Sequence, residues 1–141
     1  MYWNQTITLY NKYIDPKTGI ITWFRHIIHN CFFKSVKSSV TSGDSQKVKD
    51  NTIVRILEQS NYVAPNVWVN ELTQELRAKA ITLQHDDIIF WGELSDEIDE
   101  YTEGKRSSDL FAKYEFIPST TINSITISNF RVGSHYIVRG D

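Results

Sequence analysis

The apolar residues of this chain come in short runs, rich in β-branched and aromatic side chains and separated by turn residues. Runs of that kind suit strands and are too short for long amphipathic helices. None approaches the roughly 20 apolar residues that a membrane-crossing helix needs. Residues 5–11 alternate, with Ile7 and Leu9 on one face and Thr6, Thr8 and Tyr10 on the other. Asp15-Pro16-Lys17-Thr18-Gly19 then offers the preset φ and the left-handed position of a tight turn. Residues 20–34, with Trp23, Phe24, Ile27, Ile28, Phe32 and Phe33, are expected to pair back on the first strand as a β-hairpin.

Residues 35–50 change character: five serines, Gly43, three lysines and two aspartates surround only three valines. Such a segment buries too little to offset its ordering entropy, so it reads as a long, mobile polar loop. Residues 52–57 resume a strand pattern. In the middle, Val69, Leu72, Leu76, Ala80 and Leu83 recur at spacings of three and four. That stripe, opened by Pro65 and Asn66, predicts a helix of two to three turns. The run Ile88-Ile89-Phe90-Trp91 reads as a buried strand, with Ile89 and Trp91 on one side and at least one of them buried.

Residues 93–103 carry six carboxylates and no base, and residues 93–106 are read as an acidic loop. Residues 107–114 suit a short helix capped by Ser107 or Ser108. Residues 122–130 and 135–139 close the chain as two strands joined by a turn at Arg131-Val132-Gly133-Ser134. The expected fold class is mainly β: a small β-barrel or sandwich, with one or two short helices and a long polar loop. Its 141 residues suit a single domain over 1–141, and 40% hydrophobic content is enough for a core.

A formal net charge of −2 gives no electrostatic reason to expect nucleic acid or an anionic membrane as the main partner. The single cysteine, Cys31, cannot close an internal disulfide, which suits a reducing compartment. The start Met1-Tyr2-Trp3-Asn4-Gln5 lacks the basic and apolar regions of a signal peptide. Tyr2 and Trp3 are expected to latch onto the domain's own surface or onto a partner.

Chemistry-bearing patterns are few. His26, His29 and Cys31 have the residue types of a zinc site. On a regular strand, however, His29 and Cys31 share one face and His26 lies on the other, and no fourth ligand is evident. They are read as strand histidines and a buried cysteine, with no metal. The carboxylates Glu93, Asp96, Glu97, Asp99, Glu100 and Glu103 lack the ligand spacing and central glycine of a calcium loop and are read as a solvated surface. No nucleophile elbow, phosphate-binding loop or dinucleotide fingerprint occurs, and Gly43-Asp44-Ser45 falls in the polar loop. Trp23, Phe24, Phe32, Phe33, Phe90 and Trp91 sit among aliphatics and are expected to pack the core rather than stack bases. No catalytic or cofactor-binding residue is assigned, and an enzyme is not expected.

The order of segments resembles a known family. Ile7-Thr8-Leu9-Tyr10-Asn11-Lys12-Tyr13 is followed by a turn and Ile21-Thr22-Trp23-Phe24-Arg25; Tyr62-Val63-Ala64-Pro65 and Trp68 come later. Then come Thr82-Leu83-Gln84-His85-Asp86-Asp87-Ile88-Ile89-Phe90-Trp91-Gly92, Ser108-Asp109-Leu110, Ile125-Thr126-Ile127 and His135-Tyr136-Ile137-Val138-Arg139-Gly140. This resembles small virion-morphogenesis proteins of tailed phages and prophages, from the block that encodes head–tail connectors and head-closure (stopper) proteins. Two departures are a longer, more helical segment at 67–81 and Gln84-His85-Asp86-Asp87 in place of a Gln-Pro-Gly-Asp turn.

The resemblance implies a structural subunit of the phage neck: a homo-oligomeric ring joining portal and adaptor to tail proteins. DNA passes through its channel without sequence-specific binding, and there is no membrane. Its place is the virion, with assembly in the cytoplasm of a bacterial host. The alternatives are a small β-barrel nucleic-acid- or ligand-binding module of phage origin, and an inhibitor of one host protein.

Overall fold

The computed structural model describes residues 3–42, 45–130 and 133–141; for 36–42, 45–51, 128–130 and 133–134 it describes the backbone alone. The chain is mainly β. Six strands, β1 (Gln5–Ile14), β2 (Ile21–Ser42), β3 (Ser45–Leu57), β4 (Ile88–Trp91), β5 (Ser119–Phe130) and β6 (Gly133–Gly140), close an antiparallel barrel in the order β1-β2-β3-β6-β5-β4. Three short helices, α1 (Pro65–Asn70), α2 (Gln74–Lys79) and α3 (Ser107–Lys113), lie in the connections. The expected β1–β2 hairpin is present, with Ile14 opposite Ile21 and Gly19 at a φ of 73° in the turn.

Alternation sorts the barrel. Ile7 and Leu9 of β1, Ile28 and Phe33 of β2, Val54 and Ile56 of β3, Ile89 of β4, Ile122 of β5 and Val138 of β6 fill one core. The other face of β1, β4 and the start of β2 is largely covered. Tyr10, Trp23, Ile88 and Phe90 meet Leu94, Ile98 and Leu110 in a second core. That wall is buried on both sides, which is why Ile88-Ile89-Phe90 reads as an unbroken apolar run. Trp91, at the end of β4, is 45% exposed, while Ile89 is fully buried.

Some expectations need correction. Residues 35–50 are not an irregular loop: their backbone pairs in register from Ser35–Thr52 to Ser42–Ser45, extending the β2–β3 hairpin. A ladder held by main-chain hydrogen bonds needs no apolar stripe, so the polar composition concealed it. Gly43 and Asp44 lie outside the described residues, as do Tyr2, Arg131 and Val132.

The single helix of the middle segment is two, separated where the Thr73 side chain accepts from the Leu76 amide and starts α2 afresh. The stripe Val69–Leu76 is therefore not a continuous face. Leu76 is 48% exposed, and the buried residues are Trp68 and Arg77. The Arg77 guanidinium donates to the Trp68 and Val69 carbonyls at 2.8 and 2.7 Å and lies 3.8 Å from the Tyr13 ring centre. It thereby serves carbonyls at the end of α1 that no helical amide reaches.

Helix α3 starts as expected, but Arg106 rather than a serine is the cap residue, and the Asp109 side chain accepts from its amide at 3.1 Å. Of the six expected core aromatics, Trp23, Phe33 and Phe90 are buried and Phe24 and Phe32 half-buried, but Trp91 is exposed and belongs to neither core. Trp3 meets His135 edge-on at 5.0 Å, so it latches onto the domain itself.

Candidate functional site

His26, His29 and Cys31 separate differently from the regular-strand expectation. Asn30 has a φ of 60°, and the β1–β2 register slips there, from Ile7 opposite Ile28 to Gln5 opposite Cys31. This bulge inserts an extra residue, so Cys31 joins the inward face of Leu9's partner His26 and of Ile28. His29 is left outside, its Nδ1 3.0 Å from the Thr6 hydroxyl. Burial lowers His26 to a pKa of about 4, helped by neighbouring Arg25, and raises the Cys31 thiol to about 12. A thiol held neutral in an apolar core is a poor nucleophile and a poor ligand. Among the described residues no three His, Cys, Asp or Glu side chains are grouped to hold a metal ion.

A buried polar cluster closes the wall between β1 and the turn before β4. The Asp87 carboxylate accepts from the Lys12 amide at 2.8 Å, the Asn11 side-chain amide at 2.8 Å and the Gln84 amide at 2.9 Å. Burial raises its pKa to about 7 against the pull of those donors. Asn11 also bonds both backbone groups of Thr82. The cluster is a pin that fixes the turn before β4 to β1, with both Asp87 oxygens engaged by donors.

The acidic segment is not a free solvated loop. The Thr8 hydroxyl donates to the Gly92 carbonyl and accepts from the Leu94 amide, laying the segment against the barrel wall. Asp96 accepts from Lys113 at 2.7 Å and Tyr114 at 2.6 Å, bonds that hold its carboxyl below the usual range. Glu97 pairs with Arg25 at 3.0 Å, and Glu100 accepts from the Trp23 indole at 2.9 Å. Half the carboxylates therefore work as fasteners, while Glu93, Asp99 and Glu103 remain exposed. A pocket of about 290 Å³ opens between this layer and α3, lined by acids (Asp96, Glu97, Asp109) and bases (Lys105, Arg106, Lys113) alike.

The opposite wall has a different outer surface. Because Phe33, Val54, Ile56, Tyr136 and Val138 point inward, their neighbours point out. Register places Phe32, Arg55, Ile137 and Thr126 in one row across β2, β3, β6 and β5, and Lys34, Ile53, Arg139 and Ser124 in the next. All eight are exposed or half-exposed, and none is acidic. Sequence reading missed this face because its residues come from four distant segments; only register brings them together.

No helix among the described residues is long and apolar enough to cross a membrane. Comparison with curated proteins finds no match, and neither does comparison with solved structures. A family model matches residues 2–141, that of a family of unknown function, DUF6751, and the chain belongs to that family.

Proposed function

We propose that this chain is a non-catalytic structural subunit of a tailed-phage neck: a head–tail connector or head-closure ring that joins portal and adaptor to tail. The observation that carries the reading is the β2–β3 extension. From Val36–Asn51 to Ser42–Ser45 the two strands pair only with each other, beyond the last residues that pair with β1 (Cys31) and β6 (Thr52). Seven paired positions at about 3.3 Å each give a ribbon of roughly 23 Å beyond a small closed barrel. An arm of that length suits contact with a neighbouring subunit or the ring above, the role the resemblance implies for long connector loops. The chemistry-bearing residues support the same reading: His26, Cys31 and Asp87 serve the interior, and the acidic segment fastens a barrel wall.

The test is to replace residues 36–49 with a short Gly/Ser linker. The shortened chain is expected to keep nearly the stability of the parent, since the backbone of the replaced stretch pairs with neither β1 nor β6. It is expected to lose assembly with portal and tail partners. Normal assembly would remove the proposal, and steeply salt-dependent DNA binding by the intact chain would favour a nucleic-acid module instead.

A further inference from the structure

We propose that the outer face of β2, β3 and β6 is the docking surface for the acidic layer of a second copy of this chain. The inference deepens the ring-subunit reading, and rests on it for the need of two unlike faces on each subunit. Outward positions on opposite walls of the barrel have opposite fates. On the β1–β4 wall, Thr8, Tyr10, Ile88 and Phe90 are at most 3% exposed beneath the acidic segment and α3. On the β3–β6 wall, Ile53 and Ile137, with Phe32 of β2 beside them, are half-exposed and belong to neither core. Lys34, Arg55 and Arg139 alternate with them, so the face is a chequer of three apolar and three basic side chains.

The small net charge hides a separation along the chain. Residues 86–115 hold ten acidic and three basic side chains, a net −7. The remainder holds seven acidic and twelve basic, a net +5, and the two give the total of −2. The acidic layer also presents aromatics: Phe116 is 93% exposed beside Glu115, and Tyr101 is 60% exposed near Glu103. Acid-flanked rings facing a chequer of aliphatic and basic side chains complement it in both charge and polarity.

A nucleic-acid backbone fits less well. It rewards continuous basic tracks, and it would leave Phe32, Ile53 and Ile137 unused while approaching a molecule whose residues 86–115 are strongly acidic. Because the two faces differ and lie on opposite walls, each contact is heterologous. Repetition then gives a closed ring or an open filament rather than a two-fold dimer.

The experiment is light scattering on the purified full chain, with melting curves as a check of folding. Wild type is expected to form oligomers that dissociate as salt rises. Lys34→Glu/Arg139→Glu and Glu93→Lys/Glu103→Lys/Glu115→Lys should each be monomeric, and an equal mixture should reassemble with the two variants alternating. Phe116→Ser, a change at a side chain almost wholly in solvent, supplies a second disruption if a charge variant fails to fold. A wild type that stays monomeric at every soluble concentration would overturn the inference. So would reversed variants that assemble normally, or a DNA duplex bound through Lys34 and Arg139. Oligomers without affinity for portal or tail proteins would remove the neck reading and leave this one standing. Incorporation into virions that ignores both charge reversals would do the opposite.

Discussion

Ile28 and Cys31 face the same core from one strand although three positions separate them, because the bulge at Asn30 resets the alternation of β2. The left-handed backbone at Asn30 suits asparagine or glycine and strains a β-branched residue. Asn30→Gly should leave the melting temperature nearly unchanged. Asn30→Val should cost about 1–2 kcal/mol by denaturant unfolding, the usual cost of a left-handed conformation for such side chains.

The Asp87 pin gives a stability prediction with a pH signature. Asp87→Ala strands the Lys12 and Gln84 amides and the Asn11 side chain, so it should cost about 2–4 kcal/mol. Folding raises the pKa of this carboxyl to about 7, so the native state holds the proton more tightly than the unfolded chain. Its linked stabilisation is complete below the unfolded value and is lost as pH rises through about 7. The wild-type advantage over the variant should therefore be larger at pH 5 than at pH 9, read from urea midpoints.

His26 works in the opposite direction. Its folded pKa of about 4 lies below the ordinary 6.5, so its contribution is full above 6.5 and is lost as pH falls toward 4. A gap of that size is worth about 3 kcal/mol. His26→Leu should flatten the acid limb of the stability curve. An acid limb as steep in the variant as in the parent would mean that other groups drive the loss.

Two tryptophans should respond unequally. Trp68 is fully buried, its ring edge-on to Phe24 and Tyr13 and its indole nitrogen donating to the Ala80 carbonyl at 3.0 Å. Trp68→Ala should cost about 3–5 kcal/mol. Trp91→Ala, at a half-exposed strand end, should cost under about 1 kcal/mol. Thermal melts of the two variants side by side decide it.

Arg77→Lys should behave as a large change despite the conserved charge. A lysine cannot span the Trp68 and Val69 carbonyls and lie flat on Tyr13 at once. A loss of about 2 kcal/mol is expected from the carbonyl bonds alone. It should appear as early hydrogen exchange confined to α1 and α2.

Strand identity was legible wherever one face is apolar: Ile7 and Leu9 alternate, and Val54 and Ile56 do the same. What escaped the sequence was set by geometry that composition does not carry. The bulge at Asn30 moved Cys31 across the sheet, and residues 35–42 pair with 45–52 through their backbone. The carboxylates Asp96, Glu97 and Glu100 looked solvated because their partners, Lys113, Arg25 and Trp23, lie up to 77 positions away. The outer face with Lys34, Arg55 and Arg139 was invisible for the same reason, although the charge imbalance of residues 86–115 was there to be counted.

Barrel closure also has a kinetic side. The β1–β2, β2–β3 and β5–β6 seams are hairpins, but Leu9 meets Ile89 and Val54 meets Val138 across some eighty residues. Long-range pairings of this kind form late, after the loop-closure entropy between them has been overcome. A chain emerging from the ribosome therefore carries a finished β1–β2–β3 meander whose two outer edges wait unpaired for the last third of the protein. Those edges are open to pairing with another nascent chain, so the yield of native protein should fall with expression rate and recover at lower temperature.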